Sequence, residues 1–220
     1  MARKNNAAKR SIPIKRSIPW GFIATLVTLC FAAILAYTYL NPATEHTQGT
    51  AQGTTQGDVP IGGAFELVTH KGENITDQAF RGKYMLMYFG YSFCPDVCPV
   101  ELQNMATALD MIDAKTLDRI APLFITIDPE RDTVDAMAQY VSLFHPRLIG
   151  LTGTPEQIRT AAGAWRVYYQ KATDQDSSAE YLMDHSSIIF LMDPEGRYVS
   201  HFSYGTAPEQ IAQKLGKIIN

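Results

Sequence analysis

Cysteine is scarce in this 220-residue chain. Its three residues are too few for a disulfide scaffold. Acid is absent from the first 44 positions, Glu45 being the first. Lys and Arg are absent from position 17 to position 70, and between Trp20 and Leu40 there is no charge of either sign. Excess positive charge is lacking too: the formal net charge is −3, which argues against the basic field of a nucleic-acid binder. With 46% hydrophobic and 19% charged residues, a wholly disordered chain, a collagen and a polytopic membrane protein are excluded.

What is present is unevenly spread. Residues 1–19 form a basic head with Arg3, Lys4, Lys9, Arg10, Lys15 and Arg16. From Val59 onward there are 13 basic and 20 acidic side chains, a net of −7. Between head and body runs WGFIATLVTLCFAAILAYTYL, residues 20–40. As a helix it would rise roughly 31 Å, the thickness of a bilayer hydrocarbon core. Trp20 at one end and Tyr37 and Tyr39 at the other suit the aromatic belts, and the basic head predicts a cytoplasmic N-terminus. A cleaved signal peptide is the competing reading, but its apolar region is shorter and ends in small residues. The expectation is an uncleaved transmembrane anchor. A third reading makes the acid-free head part of an organellar import sequence. Residues 41–58, NPATEHTQGTAQGTTQGD, lack bulky apolar side chains and read as a flexible linker.

The body, residues 59–220, alternates strand and helix patterns. Strands are expected at 64–69, 84–90, 121–128, 148–151, 187–192 and 197–202, and helices at 97–113, 133–144, 155–164 and 208–219. YMLMYFG and APLFITID are apolar enough to be covered on both faces. The order predicts an α/β domain with a thioredoxin-like fold: a mixed, mostly parallel central sheet flanked by helices.

The chemistry centres on Phe93-Cys94-Pro95-Asp96-Val97-Cys98-Pro99, between a buried strand and a helix. The carboxyl end of a strand is where α/β proteins place sites, and a helix N-terminus favours a thiolate. On spacing alone three readings stand: a structural disulfide, a redox dithiol, or a soft-metal site for Cu(I) or zinc. Cys30, inside the apolar span, reads as a small apolar residue. Of the body's histidines, His70 is expected in a solvated turn, His145 as a cap on helix carbonyls and His201 facing water. His185 differs, because its loop leads straight into the buried strand SIIFLM.

The segments YFGYSFCPDVCP, FITIDPERDT and MDHSSIIFLMDPEGRYV together resemble the Sco/SenC family of copper-binding assembly proteins for cytochrome c oxidase. The resemblance covers roughly Pro60 to Ile218. It implies that Cys94, Cys98 and His185 are the copper ligands, for one Cu(I) or Cu(II) per domain. Asp184 is similar to the family's acidic neighbour, which could orient the imidazole or contact a partner. Asp128, Pro129, Arg131 and Asp132 match a second signature, with Asp132 or Thr133 expected as a helix cap and Arg131 as an ion-pair partner. Tyr91 and Phe93 are expected as an apolar rim. Two thiolates and one imidazole suit Cu(I), and imidazole also accepts Cu(II). Without metal, the cysteines are expected to close a disulfide in an oxidising compartment.

The implied function is a membrane-anchored metallochaperone. It would take copper from an upstream donor to the dinuclear copper centre of cytochrome c oxidase subunit II. The implied place is a bacterial inner membrane with the body in the periplasm; the mitochondrial inner membrane is the equivalent. The alternative is a thiol–disulfide oxidoreductase in which Cys94 attacks and Cys98 resolves, reducing that subunit's cysteines. A thiol peroxidase is a third option.

Overall fold

The computed structural model describes residues 61–172 and 181–219, with Leu29, Cys30, Ala32 and Ile34. Those four positions are helical. The basic head, the linker and the rest of the expected span lie outside the described residues. Among the described residues no helix is long and apolar enough to cross a membrane.

The body opens with an antiparallel hairpin, β1 (Glu66–Thr69) and β2 (Asn74–Thr76), followed by a 3-10 turn at Asp77–Phe80. Then come β3 (Tyr84–Gly90), α1 (Val97–Asp110), the short α2 (Ala114–Leu117) and β4 (Ile120–Thr126). Next are α3 (Val134–Val141), β5 (Ile149–Thr152), α4 (Pro155–Ala164), β6 (Tyr169–Ala172) and β7 (Leu182–His185). The chain closes with β8 (Ile188–Met192), β9 (Tyr198–Ser203) and α5 (Pro208–Ile219). Seven strands form one sheet in the order β2-β1-β5-β4-β3-β8-β9, and β6 with β7 forms a separate ribbon.

The sheet is mixed rather than mostly parallel. Only β3, β4 and β5 run parallel; β1, β2, β8 and β9 pair antiparallel. Two of these pairs have a local reason: β1 with β2 and β8 with β9 are joined by tight turns, and a short turn can only reverse the chain. In the last turn Asp193 Oδ1 accepts from the amides of Glu195 and Arg197, and Gly196 takes the positive φ of 79°.

β3 and β4 are buried along almost their whole length, as expected of strands covered on both faces. Alternation sends Tyr88 to one face, where it stacks on Phe124, which in turn packs on Tyr140 of α3. Phe89 goes to the other face and meets Phe190 and Trp165. α1 and α3 stop at Asp110 and Val141, short of the 113 and 144 that their apolar spacing implied, while α4 and α5 keep the expected bounds. Thr133 accepts from the Ala136 amide at 3.3 Å and starts α3; Thr154 and Gln157 close a reciprocal capping box on α4. Asp132 is not a cap but is turned inward and fully buried. β2, the 3-10 turn, α2 and β6 carry too few residues for their periodicity to be seen in the sequence.

Candidate metal centre

The parallel strands β3 and β4 end side by side at Gly90 and Thr126, and the site is built on those ends. Gly90 leaves the room the site needs: a Cβ there would lie 2.8 Å from Cys98 Sγ and 3.0 Å from a Phe124 ring carbon. Replacing Gly90 by alanine must therefore push the buried sulfur or the ring aside. Such overpacking costs about 1–3 kcal/mol. The expected outcome for Gly90→Ala is a lower melting temperature by calorimetry, together with weakened metal uptake.

After Gly90 the chain makes a turn in which the Cys94 amide donates to the Tyr91 carbonyl at 3.3 Å. α1 then begins with Asp96 as its N-cap residue, yet the Asp96 side chain accepts no capping bond. The Cys98 amide instead donates to Cys94 Sγ at 3.4 Å, so a sulfur does the capping. Cys98, in the first turn of α1, is fully buried, while Cys94 is half-buried. Both are free cysteines. Pro99 sits in the same turn, where its missing N–H deprives no carbonyl of a partner.

The two sulfurs are electrostatically unlike. Cys94 is brought down to about 3 by the hydrogen bond it receives from the Cys98 side chain, helped by His185 and by the amides of Cys98 and Asp96, against the opposing effect of burial. Cys98 is pushed up, first by that same shared hydrogen bond with Cys94 and then by burial. The reduced, metal-free pair therefore stands as a thiolate at Cys94 and a thiol at Cys98. Alkylation of Cys94 by iodoacetamide, followed by peptide mass spectrometry, is expected to be nearly level from about pH 5 to about pH 8. An ordinary cysteine with a pKa of about 8.5 gains roughly tenfold per pH unit over that range. A tenfold climb per unit at Cys94 would count against the assignment.

His185 arrives from the β6–β7 ribbon, as the last residue of β7 rather than in a loop. Its Nε2 lies 3.4 Å from Cys98 Sγ. Its Nδ1 is 3.0 Å from the Ser186 carbonyl, a contact that orients the ring with Nε2 toward the sulfurs. The edges of Tyr88 and Tyr91 flank the imidazole with centroids 6.2 and 6.0 Å away. One ligand atom from each of Cys94, Cys98 and His185 lies within 4.8 Å of the others. A depression of about 490 Å³ opens over Cys94 and His185, lined also by Tyr204.

Asp184 is exposed, at the ribbon position paired with Gln170. Tyr91 is buried beside the imidazole, and Phe93 is largely exposed at the rim. Asp128 and Arg131 form an ion pair. Among the other histidines, His201 is exposed as expected. His70 is not simply solvated: its Nδ1 accepts from the Gly150 amide at 3.1 Å. His145 is buried, and its Nδ1 accepts from the Arg147 amide rather than capping a carbonyl. Ser186, whose contribution is a backbone carbonyl, left no mark in the sequence. Tyr88 was legible in principle, since alternation along YMLMYFG puts it on the same face as Gly90.

Two thiols and an imidazole converging at the strand ends of a thioredoxin-like α/β domain define a soft-metal thiol protein, in which the same two sulfurs can also exchange electrons. The SCO1/SenC family model matches residues 53–220, and the chain belongs to that family. It is 40% identical over 198 residues to the mouse protein SCO2 homolog, mitochondrial, covering 88% of this chain and 77% of that one. It is 38% identical over 194 residues to the Arabidopsis thaliana protein SCO1 homolog 1, mitochondrial. That match covers 85% of this chain but only 58% of the Arabidopsis protein. The solved structure of Bradyrhizobium japonicum ScoI with copper bound is similar at a TM-score of 0.65 and 41% identity, covering 71% of this chain and 98% of that one.

Proposed function

We propose that this protein is a copper metallochaperone that holds one copper ion between Cys94, Cys98 and His185 and delivers it to the dinuclear copper centre of cytochrome c oxidase subunit II. The observation that carries this reading is the convergence of those three ligand atoms within 4.8 Å. The donor set supports it chemically, because paired thiolates with one imidazole select a soft ion at low coordination number. A thiolate at Cys94 needs no deprotonation before binding, and the α1 N-terminus offsets its charge. Burial sets an order of release. Cys98 is fully buried, whereas Cys94 and His185 border the opening. A recipient's ligands therefore displace the outer pair first and Cys98 last.

The proposed layout is a cytoplasmic head at 1–19, a membrane anchor at 20–40, a linker at 41–58 and the copper-binding body at 59–220. The body then stands in the periplasm of a bacterial inner membrane, or in the equivalent mitochondrial space. The anchor raises its effective concentration near a membrane-bound recipient.

A second reading, reduction of the recipient's disulfide, is favoured by the unequal sulfurs. The Cys94 thiolate attacks one recipient sulfur and releases the other. Cys98 then loses its proton and attacks Cys94, closing a disulfide here and freeing the second recipient thiol. Anaerobic copper titration of the reduced body, with X-ray absorption at the metal, tests the leading reading. One copper with two sulfurs and one nitrogen is expected. A preference for zinc, or four sulfurs, would overturn it.

A further inference from the structure

The two halves of the site rest on unlike foundations. Cys98 stands on α1 inside the main core, and Cys94, on the loop between β3 and α1, packs against that core. His185 comes from a ribbon in which β6 and β7 pair only with each other among the described strands. Met183 of β7 is buried, but a flexible thioether gives little angular control. Lys171 reaches Glu130 at 2.6 Å across an exposed surface, a contact of small worth.

Arg131 makes a different kind of link. Its Nε donates to Asp128, and its Nη1 donates to the Tyr181 carbonyl at 3.0 Å. Its guanidinium carbon lies 3.8 Å from the centroid of the Tyr181 ring. The Tyr181 hydroxyl donates to Asp128 Oδ1 at 2.9 Å and closes the circuit. Asp128 is itself fixed, being buried, with its amide donating to Thr126 Oγ1 at 2.9 Å at the end of β4. The same guanidinium lies 4.8 Å from the ring of Phe93, which precedes Cys94, and 5.8 Å from that of Tyr91, which flanks His185. One rigid cation thus joins the residue that leads into β7 to the loop that holds Cys94. A lysine cannot reproduce this: the link needs two N–H groups at a fixed angle and a flat face to stack.

We propose that Arg131 is a positioning residue for His185, a latch that fixes the β6–β7 ribbon so that the imidazole meets the two sulfurs. The proposal rests on the copper reading for its purpose but not for its geometry, so its test has a metal-free arm. Full-length wild type, Arg131→Gln and Arg131→Lys are compared in three measurements. Copper affinity by chelator competition is expected to fall about 10–100-fold in Arg131→Gln, the usual cost of losing a group that orients a ligand. Arg131→Lys is expected to lie between that variant and wild type.

In the reduced, metal-free chain, amide exchange at residues 182–185 is expected to speed by at least about tenfold in Arg131→Gln. Cys94 alkylation is expected to stay within about twofold of wild type. Unchanged ribbon exchange in Arg131→Gln overturns the proposal. So does faster exchange spread over β3 and β4, which would make Arg131 a general fold residue. If Arg131→Gln does not fold, Tyr181→Leu carries the test, because it removes the ring and hydroxyl while leaving the Arg131–Asp128 pair. A wild-type chain that takes no copper, with exchange still dependent on Arg131, refutes the copper reading and upholds the latch.

Discussion

His185→Ala is expected to lower the copper affinity of the reduced protein at least about 100-fold, beyond the roughly 10–100-fold lost when only an orienting group is removed. The reason is direct: the substitution deletes one of three converging donors, and among the described residues no other histidine joins the cluster. The dithiol is expected to survive. His185 is only one of the groups that hold the Cys94 thiolate; the shared hydrogen bond with Cys98 and the amides of Cys98 and Asp96 remain. The half-buried ring also contributes little to the core, so folding is expected to be retained. Chelator competition measures the first effect, and thiol–disulfide exchange with a small disulfide measures the second. Stoichiometric copper retained by His185→Ala at a chelator strength that only just spares the wild type would sink the ligand assignment. Loss of both properties together would instead mean that the ring is structural.

The second large effect lies outside the ligands. Asp132→Ala is expected to destabilise the body by about 3 kcal/mol or more, since each buried donor left without a partner costs about 1–3 kcal/mol. Asp132 Oδ2 accepts from the Ser92 amide at 3.0 Å and from Thr126 Oγ1 at 2.6 Å, and Oδ1 accepts from the Ser92 hydroxyl. Its own carbonyl accepts from Thr152 Oγ1 at 2.7 Å. The buried carboxylate therefore ties the Cys94 loop to the end of β4, while the link to β5 runs through the backbone carbonyl, which alanine keeps.

Asparagine is expected to be far milder. Its oxygen can keep the two bonds at the Oδ2 position, and its amide can donate to a rotated Ser92 hydroxyl. The pH dependence distinguishes the carboxylate from the amide. Burial raises the Asp132 pKa, outweighing the hydrogen bonds from Ser92 and Thr126 that lower it. A group bound more tightly to its proton in the folded state contributes most stability at low pH and loses it as pH rises through the native value. Wild type minus Asp132→Asn should show that downward slope on going from acid toward neutral in urea unfolding. An Asp132→Ala protein as stable as wild type would remove the network from the account.

Much of the site was legible before any coordinates. Cys94 and Cys98 were singled out by a buried strand running into a proline-flanked pair of cysteines, although spacing alone left a disulfide, a redox dithiol and a soft-metal site all open. Strand β3 and helix α1 followed from apolar runs and helical spacing, which are local properties of side-chain order. His185 was singled out by its approach to a buried strand. Its setting was not legible, because the ribbon pairs residues 169–172 with 182–185 and neither strand is long enough to signal itself. The sheet was expected to be mostly parallel because alternating elements imply crossovers. The structure keeps only the β3–β4 and β4–β5 pairs parallel, and a hairpin adds antiparallel strands at each edge of that core.

The order of residues alone determined which groups could do chemistry here: the two thiols, the imidazole, the uncharged stretch and the split between a basic head and an acidic body. These depend only on composition and short-range spacing. Tertiary structure decided the rest. It gave one sulfur a negative charge and its neighbour a proton, turned Asp132 from a helix end into the interior, and hung the imidazole on a ribbon latched by Arg131. Each of those outcomes depends on which distant groups share a few ångströms and how much water they exclude, and neither is written in the spacing of residues along a chain.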